Sequence, residues 1–257
     1  MTTIERTGAP VPRDFSLSRD VFLLDVDGTI IDIASTPESV RVPSSLIRTL
    51  VRLHEKSGGA LALVSGRTLA SLDRLFAPLI LPCIACHGAE WRTQPQDAGE
   101  PRAAPLPEAL RQALVTVATR EPRVRVEDKG YTMAFHYRSA MDREAPLLSG
   151  LAEAVAPFAK QFRLLEGKAV AEIKPRSFDK GEAVRALLQV APFAGRRPVF
   201  FGDDTTDRDA LAVVRAMGGI GVSVGAALPN ADLLASTPHT VRVWLAHLVG
   251  SAGETID

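Results

Sequence analysis

The chain has 257 residues, of which 46% are hydrophobic and 23% are charged, and its 30 basic and 30 acidic residues balance at neutral pH. This composition is typical of a folded globular protein and excludes a disordered tail or a fibre. A chain without net charge has no overall field that would attract nucleic acid or anionic lipid.

No segment has the pattern of a membrane anchor or a leader. The longest stretch without a charged residue, 216–231, contains four glycines and one proline. A transmembrane helix needs about 20 apolar residues instead. Residues 1–15 contain no apolar run of signal-peptide length. We therefore expect a cytoplasmic protein, a monomer, with no nucleic-acid or membrane partner.

The first third of the chain alternates between short apolar runs and amphipathic segments. Its predicted strands are 21–26, 61–64 and 82–86, and its predicted helices are 44–56 and 69–76. The first run, VFLLDV, is apolar at successive positions, as in a strand that is buried on both faces. Strands that alternate with helices over short connections predict a parallel sheet with helices on both sides.

The middle of the chain has a different pattern, which begins with the proline-rich loop 93–107. Helices are predicted at 110–120 and 143–156, and alternating runs at 124–127, 133–137, 162–165 and 170–173. The turns at Lys129-Gly130 and Gly167 predict that these runs form two β-hairpins. We therefore expect an inserted α+β cap domain, an antiparallel sheet with two helices, at residues 91–175.

The first pattern returns after the insert. Helices are predicted at 179–188, 207–217 and 241–248, and strands at 198–201 and 220–224. The predicted fold class is α/β, with a discontinuous Rossmann-like parallel-sheet core at residues 1–90 and 176–257. We expect the insert to act as a lid that excludes water and supplies substrate specificity.

The two cysteines, Cys83 and Cys86, have the spacing of a redox pair or of half a zinc site. In a strand, however, residues three apart point to opposite faces. A redox pair needs a helix N-terminus, and zinc needs two more ligands at suitable spacing. We therefore assign both cysteines to the core. His54 and His136 have no partner pattern, and we expect them to be packed or solvated.

Three polar clusters follow predicted strands, at the carboxyl ends where open parallel sheets bind ligands. They are DVDGT at 25–29, SGR at 65–67 and GDDTTD at 202–207, with Lys180 near the start of a helix between the last two. Two carboxylates about 4 Å apart repel by roughly 4 kcal/mol at an effective dielectric near 20, so converging carboxylates need a cation or raised pKa values. Oxygen ligands without His or Cys favour Mg²⁺.

These groups suit phosphoryl transfer. A metal ion and a lysine neutralise the phosphoryl oxygens, and a carboxylate can attack phosphorus to give an aspartyl-phosphate. A second carboxylate two residues away can protonate the leaving oxygen and then deprotonate the water that clears the intermediate.

The order and placement of these clusters resemble the four motifs of the haloacid dehalogenase superfamily. The resemblance implies that Asp25 is the nucleophile and that Asp27 is the general acid/base. It implies that Ser65 and Lys180 bind the phosphate.

The same resemblance implies a Mg²⁺ site formed by the Asp25 carboxylate, the Asp27 backbone carbonyl and Asp203. It also implies that Asp204 supports the metal and the lysine.

A closer resemblance covers residues 22–224, including the insert. DVDGT, SGR, HGAE at 87–90, VEDKG with HYR, GK with AEIKP, and GDDTTD are together similar to the trehalose-6-phosphate phosphatase family. This resemblance implies that the cap binds glucose rings through Glu127, Arg138, Lys168 and Glu172. It places Arg67, His87 and Gly88 in the core beside the substrate. Val26 and Arg208 depart from the family pattern at positions without a chemical role.

Without the resemblance, mixed acids and bases on a sheet face indicate a solvated face more often than a sugar site. With it, the sequence predicts a Mg²⁺-dependent phosphatase that converts trehalose 6-phosphate, a small-molecule partner, to trehalose and phosphate. Three alternatives stay open: a phosphatase for sucrose phosphate or mannosyl-phosphoglycerate, a phosphomutase, and a non-catalytic sensor. The presence of both Asp25 and Asp27 argues against the sensor, which needs neither a nucleophile nor an acid.

Overall fold

The computed structural model describes residues 4–6, 15–34, 39–167 and 169–250. The chain divides into two compact units, Met1–Glu100 with Asp179–Asp257, and Pro101–Phe178. In the described part of the chain, no helix combines the length and the apolar character that a membrane crossing requires.

The elements follow one another in three groups along the chain. The first group is β1 (Glu5–Arg6), β2 (Asp20–Leu24), α1 (Ser44–Lys56), β3 (Leu61–Val64), α2 (Leu69–Phe76), β4 (Cys83–Ala85), β5 (Glu90–Arg92) and β6 (Glu100–Pro101). The second is α3 (Glu108–Ala118), β7 (Arg125–Asp128), β8 (Met133–His136), α4 (Glu144–Val155), β9 (Phe162–Gly167) and β10 (Val170–Pro175). The third is α5 (Lys180–Leu187), β11 (Arg197–Gly202), α6 (Arg208–Ala216), β12 (Ile220–Val224), β13 (Leu233–Ala235) and α7 (Pro238–Leu248).

The sheet of the first unit has the strand order β1-β13-β12-β11-β2-β3-β4-β5-β6. Strands β13, β12, β11, β2, β3 and β4 run parallel to their neighbours, whereas β1 and β5 are antiparallel additions. From β2 the chain proceeds through β3 to β4 on one side, and later through β11 to β12 and β13 on the other. The order therefore reverses between β2 and β11, which is where such sheets form a ligand crevice.

Apolar side chains fill both faces of this sheet. Phe22 and Leu24 of β2 lie in one buried cluster with residues of α1 and α7, such as Leu50 and Leu245. Val21 and Leu23 lie in a second cluster with residues of α5 and α6. Because both faces are covered, β2 is apolar at four successive positions, which confirms the strand predicted from VFLLDV.

The sheet of the second unit is antiparallel, with the order β7-β8-β10-β9. Met133, Phe135 and Ile173 pack with residues of α3 and α4 in one core cluster. Side chains alternate along a strand, so the residues between these lie on the opposite face. That opposite face carries most of the polar residues of β7, β8 and β10.

The predicted fold class is confirmed: a Rossmann-like parallel sheet carries an insert with an antiparallel sheet and two helices. The short strands β1 and β13 at one side of this sheet, and β5 and β6 at the other, were not predicted. Because β5 pairs with β4, the first compact unit extends to Glu100. The predicted catalytic and cap domains, with boundaries at 90/91 and 175/176, stay a prediction.

Both cysteines are buried, in agreement with the core assignment. Burial raises the pKa of the Cys83 thiol to about 12, so this thiol is not a reactive thiolate at neutral pH.

Candidate active site

Three carboxylates meet where the strand order reverses. Asp25 follows β2 directly, Asp203 follows β11, and Asp207 ends the short 3-10 turn Thr205–Asp207. Each offers one oxygen within 4.8 Å of the others. Asp25 is 5% exposed and Asp207 is fully buried.

The cluster raises the pKa values of two of its members. Burial, followed by the charge of Asp207, raises the pKa of Asp25 well above its ordinary value despite the nearby lysine. The same two causes raise the pKa of Asp203 to about 6. Three hard oxygen donors that repel one another are a donor set that suits a divalent cation such as Mg²⁺.

Lys180 joins two of these carboxylates. Its Nζ donates to Asp25 Oδ1 and to Asp207 Oδ1, each at 2.6 Å, and only 3% of its side chain is exposed. Burial alone would lower the pKa of this lysine, but the two carboxylates outweigh burial and raise it. Lys180 stands at the first position of α5, which Asp179 caps by accepting a hydrogen bond from the Glu182 amide.

Thr29 and Gly28 complete this group. Thr29 Oγ1 lies 2.9 Å from Asp25 Oδ2 and 3.3 Å from Asp203 Oδ1, so its hydroxyl is within hydrogen-bond distance of both carboxylates. Gly28 has a φ of +82°, and a Cβ at this position would collide with the Asp203 carboxylate. The turn after β2 therefore needs glycine, both for its backbone conformation and for the close approach of Asp203.

The prediction that Asp204 supports Lys180 is wrong, because the carboxylate of this motif that accepts a hydrogen bond from Lys180 is that of Asp207. The Asp207 Oδ2 atom accepts the backbone N–H groups of Asp203 and Asp204, both at 3.0 Å. Asp204 instead caps the turn Thr205–Asp207, accepting the Thr205 N–H at 2.7 Å. A Cβ at Gly202 would lie 2.5 Å from Asp207 Cγ, so the glycine of GDDTTD makes room for this carboxylate.

The predicted acid/base, Asp27, does not join the cluster through its side chain. Its two carboxylate oxygens accept hydrogen bonds from Nε and Nη2 of Arg67, each at 2.6 Å. The Asp27 side chain is 38% exposed and that of Arg67 is 14% exposed. The predicted role of the Asp27 backbone carbonyl as a metal ligand stays a prediction.

A strained segment supports the loop after β3. Cys86 and His87 have φ values of 47° and 55°, which non-glycine residues adopt at a cost of about 1–3 kcal/mol each. In this conformation the Cys86 N–H donates to Arg67 O and the His87 N–H donates to Ser65 O. A Cβ at Gly66 would lie 2.5 Å from His87 Nε2, so the imidazole rests against the loop backbone.

This segment brings the predicted residues Ser65, Arg67, His87 and Gly88 together at the neighbouring carboxyl ends of β3 and β4. Ser65 is 2% exposed, and its Oγ accepts the Arg67 N–H at 3.2 Å. Gly88 follows with a φ of +108°. Their predicted contacts with a substrate stay predictions.

In the second unit, Glu127 and Glu172 lie on the polar face of the antiparallel sheet, and both pair in register with Ala134 of β8. The Glu127 Oε2 atom is 3.0 Å from His136 Nε2, and this hydrogen bond lowers the pKa of Glu127. His136, for which the sequence showed no partner pattern, therefore has Glu127 as a partner. Arg138 is exposed at the start of a 3-10 turn, and Lys168 lies outside the described residues.

Comparison with known proteins agrees with the resemblance of the motifs. The trehalose-phosphatase family model matches residues 23–233. The trehalose-6-phosphate phosphatase of Escherichia coli (strain K12) is 40% identical over 228 residues, which cover 87% of this chain and 84% of that protein.

Two solved structures show the same fold. The C-terminal domain of C. albicans trehalose-6-phosphate phosphatase has a TM-score of 0.80 at 22% identity, over 91% of this chain and 92% of that chain. A haloacid dehalogenase-like hydrolase from Bacteroides thetaiotaomicron has a TM-score of 0.66 at 16% identity, over 90% of this chain and 99% of that chain. By the family model and by the 40% identity over most of both proteins, the chain belongs to the trehalose-phosphatase family.

Proposed function

We propose that the protein hydrolyses trehalose 6-phosphate to trehalose and phosphate, with Mg²⁺ and through an aspartyl-phosphate on Asp25. The observation that carries the chemistry is the Asp25 carboxylate itself, buried at a strand end with Lys180 on one oxygen and Thr29 on the other. The substrate is proposed from the family and from the 40% identical relative.

The reaction has two steps, and the second step regenerates the Asp25 carboxylate. An Asp25 oxygen forms a bond to phosphorus while the bond from phosphorus to the sugar oxygen breaks, and that oxygen takes a proton from Asp27. Water then attacks the phosphorus, Asp27 takes a proton from the water, and the bond to Asp25 breaks. Lys180 offsets negative charge on Asp25 and on the phosphoryl group.

Asp25, Asp203 and Asp207 are the side chains that would hold Mg²⁺, with the Asp27 carbonyl as the further predicted ligand. When bound, the ion would supply positive charge to the phosphoryl oxygens. Asp204 would influence the metal only through the turn that it caps.

Arg67 competes with the leaving group for Asp27. In the structure its guanidinium forms a two-point ion pair with both oxygens of Asp27, in place of a contact from Asp27 to a leaving group. We infer that the phosphate of the substrate takes over the guanidinium, since its oxygens accept the same paired N–H donors. Ser65 would bind the same phosphate, and His87 and Gly88 would hold the loop that presents it.

In the second unit, Glu127, Arg138, Lys168 and Glu172 are proposed to bind sugar hydroxyls, with carboxylates accepting and cations donating. The cytoplasmic location and monomeric state expected from the sequence stay predictions.

A sugar-phosphate panel tests the proposal. We expect phosphate release from trehalose 6-phosphate to exceed release from sucrose phosphate and mannosyl-phosphoglycerate. Release without a bisphosphate activator separates a hydrolase from a phosphomutase. A clear preference for another sugar phosphate would contradict the proposed substrate, and absence of any phosphate release would favour a sensor.

The carboxylate cluster predicts how pH affects the metal-free protein. Folding raises the pKa of Asp203 from 3.8 to about 6, so the protonated carboxyl is favoured in the folded state. This contribution to the free energy of unfolding is complete below the ordinary pKa and is lost as pH rises through about 6. With a chelator present, we expect wild type to lose more stability between about pH 5 and pH 7.5 than Asp203→Asn does.

Added Mg²⁺ should reverse the trend in wild type, because the ion binds the ionised carboxylates. Denaturant titrations at both pH values measure the effect. If the stability of the two proteins depended equally on pH, the raised pKa of Asp203 would be contradicted. Activity in excess chelator would show that the reaction does not need the metal.

Glu172 tests the proposed sugar site. We expect Glu172→Ala to lower kcat/KM for trehalose 6-phosphate by about one to two orders of magnitude, because the carboxylate that accepts hydrogen bonds from the sugar hydroxyls is lost. Turnover of a small aryl phosphate, which has no sugar hydroxyls, should change far less.

Glu153→Ala provides the matched control, since Glu153 is an exposed carboxylate of the same unit that contacts Ser149. An equal loss on both substrates would assign Glu172 to the support of the fold. An unchanged rate with trehalose 6-phosphate would show that Glu172 does not bind the sugar and lies on a solvated sheet face.

A further inference from the structure

Two carboxylates flank one small residue on the polar face of the second sheet. Glu127 of β7 and Glu172 of β10 each pair in register with Ala134 of β8, from opposite sides. Two strand spacings separate their Cα atoms by about 10 Å. These two acids therefore present their side chains on the same face, in a row with an alanine between them.

Glu172 is held by two side chains that were not predicted as site residues. The Thr132 hydroxyl donates to Glu172 Oε1 at 2.6 Å, and Lys129 Nζ donates to the same oxygen at 3.1 Å. Thr132 is fully buried, whereas 10% of the Glu172 side chain is exposed. A short hydroxyl-to-carboxylate hydrogen bond in buried surroundings is among the stronger kinds in proteins.

The hairpin between β7 and β8 builds this arrangement. Asp128 and Met133 are its last paired residues, and the Lys129 N–H donates to Thr132 O at 3.0 Å across the turn. Gly130 supplies the positive φ of 82°, and its N–H donates to the Asp128 carboxylate. Thr132 precedes Ala134 by two residues, so it shares the face of Glu172 and lies diagonal to it across β8 and β10.

We propose that Thr132, together with Lys129, is a positioning residue that fixes the Glu172 carboxylate for sugar hydroxyls; this inference rests on the proposed function. A free glutamate side chain rotates about three bonds, and ordering it costs binding energy each time a substrate binds. Thr132 and Lys129 order it in advance through one oxygen. Thr132 has no exposed surface and therefore cannot touch a sugar itself, so its hydroxyl acts through Glu172.

The test compares Thr132→Val, which keeps the shape and removes the hydroxyl, with Thr132→Ser, which keeps the hydroxyl. We expect Thr132→Val to lower kcat/KM for trehalose 6-phosphate about tenfold, mainly through KM, while Thr132→Ser stays within about threefold of wild type. Turnover of p-nitrophenyl phosphate should stay within about twofold in both variants. Thr116→Val, at an exposed threonine of α3, is the control for loss of a hydroxyl elsewhere in the unit.

Each outcome decides the proposal. If Glu172→Ala is selective for the sugar phosphate but Thr132→Val behaves as wild type, the positioning role is wrong and the proposed function stands. If Thr132→Val lowers the turnover of both substrates equally, the role of Thr132 is structural. The same conclusion follows if Thr132→Ser loses activity with trehalose 6-phosphate as Thr132→Val does. If Thr132→Val does not fold, Lys129→Met decides by the same ratio of the two substrates. If wild type does not hydrolyse trehalose 6-phosphate, the proposed function fails and this inference fails with it.

Discussion

Asp25→Asn should abolish turnover of every phosphate ester while the protein stays folded. The amide keeps the shape of the side chain but removes the charge that attacks phosphorus, and loss of a nucleophile costs about a thousandfold or more. Burial and the charge of Asp207 already disfavour the ionised Asp25, and Lys180 keeps Asp207 as its partner, so a neutral side chain at position 25 should cost the metal-free protein little stability.

Phosphate release and the unfolding midpoint in chelator are the two measurements for this variant. Asp27→Asn is its partner, because it should form the aspartyl-phosphate slowly and clear it more slowly still. Retention of more than a few per cent of wild-type turnover by Asp25→Asn would contradict the covalent mechanism.

Asp207→Asn should be the most disruptive change in the carboxylate cluster, both for activity and for stability. One Asp207 oxygen accepts from Lys180 and the other from two backbone N–H groups, so an amide nitrogen on either side meets a donor. Breaking a buried ion pair of this kind costs about 3–5 kcal/mol of unfolding free energy. We expect kcat to fall at least about a hundredfold, because Lys180 and the Asp203 loop both lose their anchor.

Asp204→Asn is the matched control for Asp207→Asn. Asp204 only caps the turn, and an asparagine caps nearly as well, so we expect a stability loss below about 1 kcal/mol. Denaturant titrations and phosphate release on both variants decide between the two aspartates. A larger loss in Asp204→Asn than in Asp207→Asn would return the supporting role to Asp204.

The sequence predicted the elements whose pattern is continuous. The apolar run of β2 and the alternating runs of the two hairpins each reflect burial on two faces or on one, and the structure confirms them. The three-residue strand β5 is different, because its Glu-Trp-Arg composition carries no strand pattern. It is a strand because its backbone pairs with that of β4.

The roles of individual side chains depended on local geometry that the letters do not contain. Asp207 replaces Asp204 on Lys180 because a 3-10 turn brings its carboxylate back under the Asp203 backbone. The sequence did contain one signal for this role: Asp207 lies four residues after Asp203, so a single turn can bring the two residues together. His136 contacts Glu127 because the hairpin register places the two diagonally, Arg125 being the residue opposite His136. A hairpin register is fixed by its turn, and a run of alternating residues does not reveal it.

The most direct measurement is the stoichiometry of products from purified protein with Mg²⁺ and trehalose 6-phosphate. The account predicts one trehalose and one phosphate for each ester consumed, without a bisphosphate activator, and no products from Asp25→Asn. Consumption of the ester without free phosphate, or equal release by the Asp25→Asn protein, would contradict it.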